Sequence, residues 1–441
     1  MTAPAPTVVG PIMGARAPWA APEIDLAALG YTVEEFQLDG TLSGYQLRAG
    51  SDATVDGRWA VEPYGNAPYR TRILVVRPAC AQRFNGTVVV EWLNVSAGIE
   101  LGGPTGDELY EGYAWVGVSA QEVGLYGFPP GMARYGSRRA RPLLEHDPER
   151  YGSLHHPGDQ GAYDIFSDAG RAVGPDRATT VDPMGGLEVQ RLIAQGGSQS
   201  AMRLVTYLNA FHADAQVYDA FLLSVWEGRA PRPEEGAVAM GVRTSIRTDH
   251  TTPVVVVNSE FEVPHLAALP IADTDHLRIW EVAGAPHGEA RHAVDQPDAR
   301  GRVVNRLSIR PVHDAALRAV HRRLTTGAPL PSQPRVVVDD DRRSTICRDQ
   351  FGNALGGIRL PELAAPTCEY RGVAFGTGRA PLFGSARPFA DADLRCLYPT
   401  RGVFVRAWCD AVDALVASAA VRPEDAGSMR ARADEFRLPV D

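Results

Sequence analysis

No apolar run in this 441-residue sequence approaches the roughly 18 residues that a bilayer crossing needs, so a membrane span is not expected. Cysteine is scarce: Cys80, Cys347, Cys368, Cys396 and Cys409 are odd in number and form no C-x-x-C pair. That speaks against a zinc site and fits a reducing cytoplasm, with a disulfide among the last four left open. Basic clusters are wanting too. The 44 Lys and Arg are outnumbered by 53 Asp and Glu, for a net charge of −9, so a phosphate backbone is not an expected partner. Met1 to Ala21 has neither a basic n-region nor an apolar h-region, so no signal peptide is expected. No G-x-G-x-x-G follows an early strand, and no P-loop or H-E-x-x-H occurs. Nicotinamide, flavin and nucleoside triphosphate cofactors are therefore not implied, and no metal is expected. His155-His156-Pro157-Gly158-Asp159 reads as a turn and helix cap. Nothing in the sequence speaks to oligomeric state.

Glycine and proline are plentiful, at 44 and 34 residues, which predicts long connections shaped by turn chemistry. Residues 1–25 read as an irregular arm. Tyr31–Leu38 and Ser43–Arg48 alternate polar and apolar residues around Asp39-Gly40, the pattern of an antiparallel hairpin. Further strands are expected at Tyr69–Pro78, Gly86–Leu93, Tyr113–Ser119, Val217–Val225, Pro253–Asn258 and Leu277–Val282. Helical spacing marks Tyr163–Val173, with Asp159 a candidate cap, and Pro311–Thr325. Two-sided apolar strands alternating with helices from about residue 86 predict an α/β fold, its mixed, mostly parallel sheet having eight strands. Residues 1–327 are expected to form the core with its arm and loop insertions. Residues 328–441 are read as a Pro/Gly-rich, lid-like excursion followed by two closing helices on the same core.

The chemistry centres on the stretch Val189–Leu208, with Ser198 at its middle. An apolar strand meets a Gly-Gly-Ser corner, and Ala201, Leu204, Val205 and Leu208 then follow at i, i+3, i+4, i+7. Strand, serine corner and helix make a nucleophile elbow, G-x-S-x-G, with Ser200 at the last position. A nucleophilic serine needs a base, and the base needs a carboxylate to orient it. After the strand at 253–258 stand Glu260 and Glu262, either of which could be that acid, Glu262 being preferred. After the strand at 277–282 stands His287, in Ala283-Gly-Ala-Pro-His-Gly. An oxyanion hole would take the N–H of Gln199 and one from Leu93, Asn94 or Val95.

Gly196-Gly-Ser-Gln-Ser, Asn85-Gly-Thr-Val-Val-Val-Glu-Trp-Leu-Asn-Val, Gly112-Tyr-Ala-Trp-Val-Gly-Val-Ser-Ala-Gln, His156-Pro-Gly-Asp and Gly352-Asn-Ala-Leu-Gly-Gly-Ile-Arg-Leu-Pro span most of the chain. In these segments it resembles a bacterial α/β-hydrolase domain family whose nucleophile motif reads G-x-S-Q-S. The resemblance implies an α/β-hydrolase fold and a serine hydrolase with Ser198 as nucleophile and His287 as base. The acid loop departs from the family, since Glu262 stands where an Asp is usual. The expected reaction is hydrolysis of a small-molecule carboxylic ester or lactone without a cofactor. Acyl transfer by the same residues, or non-catalytic binding on the same scaffold, are the alternatives.

Overall fold

The computed structural model describes all residues except 1–5, 15, 104, 130–140, 237–238, 290–297, 299, 340, 343, 375–379 and 441. The chain divides into two compact units, Met1–Val254 and Val255–Asp441.

The first unit is built on strands β1 (Thr7–Val9), β2 (Tyr31–Leu47), β3 (Val61–Pro78), β4 (Thr87–Trp92), β5 (Ala114–Val118), β6 (Arg191–Gly197) and β7 (Ala220–Ser224), in spatial order β1-β2-β3-β5-β4-β6-β7. The pairs from β1 to β5 are antiparallel, while β5-β4-β6-β7 run parallel. β4 is buried at every position, as an inner parallel strand must be. Helices α1 (Ala162–Val173) and α2 (Gln199–Ala210) contribute Tyr163, Phe166 and Tyr207 to an aromatic core that also takes in Trp92 and Tyr218.

Several local expectations differ from what forms. Asp39-Gly40 does not turn, because β2 runs straight through it against β3. There Arg70 pairs with Asp39 at 2.8 Å, and a Cβ on Gly40 would stand 2.7 Å from the Tyr69 ring. The glycine serves a close ring approach, not a reversal of the chain. β1, inside the stretch read as an irregular arm, pairs with Gln37–Asp39. Among the described residues the main sheet counts nine strands where eight were expected. Asp159 does not cap α1 either. It accepts from Gln121 Nε2 and from the Glu122 N–H, both at 2.9 Å.

The second unit holds the neighbouring strands β8 (Val254–Ser259) and β9 (Leu277–Val282), the short sheet β10 (Val303–Val304), β11 (Cys368–Arg371) and β12 (Ser385–Pro388), and helices α3 (Arg310–Thr326) and α4 (Arg401–Ala417). The Pro/Gly-rich excursion is fastened to β9: Ile358 N–H donates to Glu281 O at 2.7 Å, and Ala283 N–H to Ile358 O at 3.0 Å. Gly357 is required there, since a Cβ would meet Glu281 O at 2.9 Å. All five cysteines are free thiols. Among the described residues no helix is long and apolar enough to cross a membrane.

Candidate active site

In the first unit, β6 ends at Gly197 and α2 begins at Gln199, leaving Ser198 alone at the corner with φ 57° and ψ −117°. A non-glycine residue with positive φ is strained by about 1–3 kcal/mol and persists only where its surroundings hold it. Here Ser198 N–H donates to Ser224 O at 2.9 Å, and Ser198 O accepts from Met202 N–H at 3.1 Å. Gly196 lets the helix come close, because a Cβ there would stand 2.9 Å from Leu204 and 3.1 Å from the Ser200 carbonyl carbon. Ser200, at the position the motif gives to glycine, is buried. Its Oγ accepts from Gly197 N–H at 3.0 Å and donates to Gly197 O at 2.9 Å. The substitution thus ties the corner instead of loosening it. The strand direction lifts the serine to the sheet's edge, and the helix N-terminus beside it favours negative charge.

The loop after β4 lies alongside this corner. Of the three residues expected to offer an oxyanion donor, Leu93 gives its N–H to Val118 O at 3.3 Å, and Asn94 gives its N–H to Leu101 O at 2.9 Å. Asn94 instead reaches Gly197 O with its side chain at 2.9 Å. Val95 N–H makes a long 3.4 Å contact to Gln199 Oε1. Gln199 Nε2 donates to Gln121 Oε1 at 2.8 Å, which also accepts from Trp92 Nε1 at 2.9 Å. Gln121 Nε2 reaches Asp159, whose carboxylate faces the buried Arg203 at 3.5 Å. This polar chain sets the side chain next to the serine, and sequence reasoning missed it. The available signal was a glutamine just past a buried strand, which marks a side chain in need of partners. His156, in the histidine pair, is buried and contacts Ala120 O at 3.0 Å; burial lowers its pKa and keeps the imidazole neutral.

In the second unit, the loops after β8 and β9 bring the other expected residues together. His287 Nδ1 lies 2.6 Å from Glu262 Oε1, and Glu262 is fully buried. The second Glu262 oxygen accepts from Ser259 N–H at 2.8 Å and Ser259 Oγ at 2.7 Å. A proton on Nδ1 shared with the carboxylate fixes the tautomer in which Nε2 is the accepting nitrogen. Phe261 packs edge-on to the His287 ring, with centroids 5.2 Å apart. Glu260 is held elsewhere. One of its oxygens accepts from Gly284 N–H at 2.8 Å, and the other from Arg348 Nη2 at 2.7 Å and Gly372 N–H at 3.1 Å. The two carboxylates are held differently: Glu260 takes the Gly284 and Gly372 backbone N–H groups and the Arg348 guanidinium, and Glu262 faces the histidine. Among the described residues no cluster of His, Cys, Asp and Glu could hold a metal ion.

A family model described as "Alpha/beta hydrolase domain" matches residues 8–431. No curated protein matches the sequence. Among solved structures, a glucuronoyl esterase from Solibacter usitatus is similar at 9% identity, covering 57% of this chain and 76% of that one, with a TM-score of 0.27. Prolyl oligopeptidase B from Galerina marginata is similar at 6% identity, covering 52% and 35%, with a TM-score of 0.24. Esterase Est22 is similar at 10% identity, covering 60% and 74%, with a TM-score of 0.31. At these scores the likenesses say nothing about substrate.

Proposed function

Since the chain belongs to the Alpha/beta hydrolase domain family, we propose that it is a serine hydrolase that cleaves a small-molecule carboxylic ester or lactone through an acyl-enzyme. The observation that carries this reading is Ser198 itself, the single residue of positive φ between a buried strand and a helix N-terminus. Keeping that strain has a chemical use, because it holds the hydroxyl at a fixed place next to backbone donors. The buried His287–Glu262 pair supports the reading, as a base already held in the accepting tautomer.

In the proposed reaction Ser198 Oγ attacks the acyl carbon while His287 Nε2 takes its proton. The imidazolium is stabilised by Glu262, which the Ser259 N–H and hydroxyl keep aimed. The N–H groups of Gln199 and Val95 receive the oxyanion, the Gln199 side chain giving up its long contact to Val95. His287 then protonates the leaving alcohol, and after that it activates water to release the acid. No step calls for a metal or organic cofactor. The five free thiols suit a reducing cytoplasm as its home.

A fluorophosphonate probe is expected to label the wild type and to leave Ser198→Ala unlabelled. Label that persists in Ser198→Ala refutes the nucleophile. Undiminished p-nitrophenyl acetate hydrolysis in His287→Ala refutes the base. Product esters formed when an added alcohol replaces water would shift the reading to acyl transfer.

A further inference from the structure

The second unit contains a cavity of about 670 Å³ walled by Arg302, Arg348, Arg371 and Arg387. We propose that it binds a small carboxylate carrying an apolar body. The chain as a whole has a net charge of −9, so a cavity whose cations outnumber its carboxylates stands apart. Arg348 is balanced by Glu260 at 2.7 Å and Arg302 by Asp298 at 2.6 Å. Arg371 and Arg387, however, share one carboxylate. Arg371 reaches Glu369 Oε1 through Nε and Nη2, and Arg387 reaches Glu369 Oε2 through Nε and Nη2. These two guanidiniums hold Glu369 below its ordinary pKa against the opposing effect of burial.

Among the described residues one positive charge is left over, and the number of hydrogen-bond donors agrees. A guanidinium carries about five N–H donors and a carboxylate about four lone-pair sites, so two guanidiniums on one carboxylate leave donors for a further anion. Arginine's planar fork suits a carboxylate in particular. Part of the wall is apolar, made by Pro264, Ile346 and Val373, the last of which is exposed. An inorganic anion would satisfy the charge and leave this wall wet. A carboxylate on a hydrocarbon or aromatic body uses both the charge and the apolar wall, and the volume is ordinary for a small-molecule site.

The test is equilibrium binding of sodium benzoate to the whole chain by calorimetry, beside benzyl alcohol and inorganic phosphate. Benzoate is expected to bind saturably and more tightly than either comparison compound. Arg387→Gln should weaken it by about tenfold, the effect of losing one charge-assisted hydrogen bond. Ile346→Ser should weaken benzoate and leave phosphate unchanged. Should Arg371→Gln fold poorly, the exposed Arg387 remains an adequate probe. Benzyl alcohol binding as tightly as benzoate overturns the proposal, as does benzoate affinity unchanged in both Arg387→Gln and Ile346→Ser. Phosphate binding as tightly as benzoate overturns the apolar half. No turnover is measured, so the outcome is independent of the serine hydrolase reading.

Discussion

Glu91 offers the sharpest physical test of the first unit. It sits on β4 with its side chain inside the fold, and its partners are neutral N–H donors: Trp115 Nε1 at 2.8 Å and Gln195 Nε2 at 3.3 Å. Burial pushes its pKa from the ordinary 4.5 up to about 7, more than these donors pull it down. In the unfolded chain Glu91 ionises near 4.5, whereas the folded protein keeps the proton until about 7. The folded state binds more protons across that window, so this residue's contribution to stability falls as pH rises from about 4.5 to about 7 and is flat beyond. Each pH unit of the gap is worth about 1.4 kcal/mol, which makes the ionised residue a liability of about 3 kcal/mol above pH 7. Glu91→Gln, of the same shape and never charged, removes the liability. At about 2 °C per kcal/mol for a unit of this size, it should gain about 6 °C on the wild type between about pH 4 and about pH 8.5. His212, pushed down to about 4 by burial, has the opposite slope below 6.5, so the wild-type curve alone is not diagnostic. Only the difference between the two proteins isolates Glu91. A calorimetric offset of the same size at both pH values refutes the reasoning.

Five further substitutions probe the proposed site. Glu262→Gln should lower kcat for p-nitrophenyl acetate by about 10³- to 10⁴-fold with little change in melting temperature. Glu260→Gln should do the reverse, destabilising by about 3 kcal/mol because Arg348 is left without its buried carboxylate. Equal kinetic losses would contradict the division of labour. Ser259→Ala takes one of two donors from the far oxygen of Glu262 and should cost about tenfold in kcat, read from steady-state rates, with KM unmoved. Gly196→Ala forces a Cβ against the backbone of Ser200 and should abolish soluble, active protein, whereas Gly197→Ala is tight only against the Ser224 side-chain hydroxyl, which can turn away, and should be milder. Expression yield and probe labelling separate the two.

Much of the fold was legible because buried parallel strands such as Thr87–Trp92 announce themselves as apolar runs, whatever surrounds them. Features fixed by distant partners were not. Asp39-Gly40 is a good local turn signal, but it was overruled by a seventeen-residue strand whose partner β3 lies further along the chain. Thr7–Val9 is too short for any periodicity to show. Residues 328–360 gave no period because their order consists of isolated bridges, Val336 to Gly356, Val338 to Ile346 and Arg348 to Ala354, each set by tertiary contact.

The proposed site divides along the same line. Its positions follow from strand ends, so Ser198, Glu260, Glu262 and His287 could all be named from where apolar runs stop. Choosing between Glu260 and Glu262 needed backbone direction. Past Ser259 the chain turns into the helical bend at Val263–Leu266, so the two side chains diverge instead of sharing a face as they would in a strand. The proposed second oxyanion donor, Val95, was chosen by subtraction, since Leu93 and Asn94 spend their N–H groups on Val118 and Leu101. The elbow's irregular last position shows what a motif encodes. Close approach is demanded at Gly196, where a Cβ meets backbone. At Ser200 the fold asks only for something small, and this chain uses the allowance to place a hydroxyl that clasps both ends of Gly197. A Ser200→Gly protein would restore the motif and lose that clasp, so the irregular residue should be the more stable one at this corner.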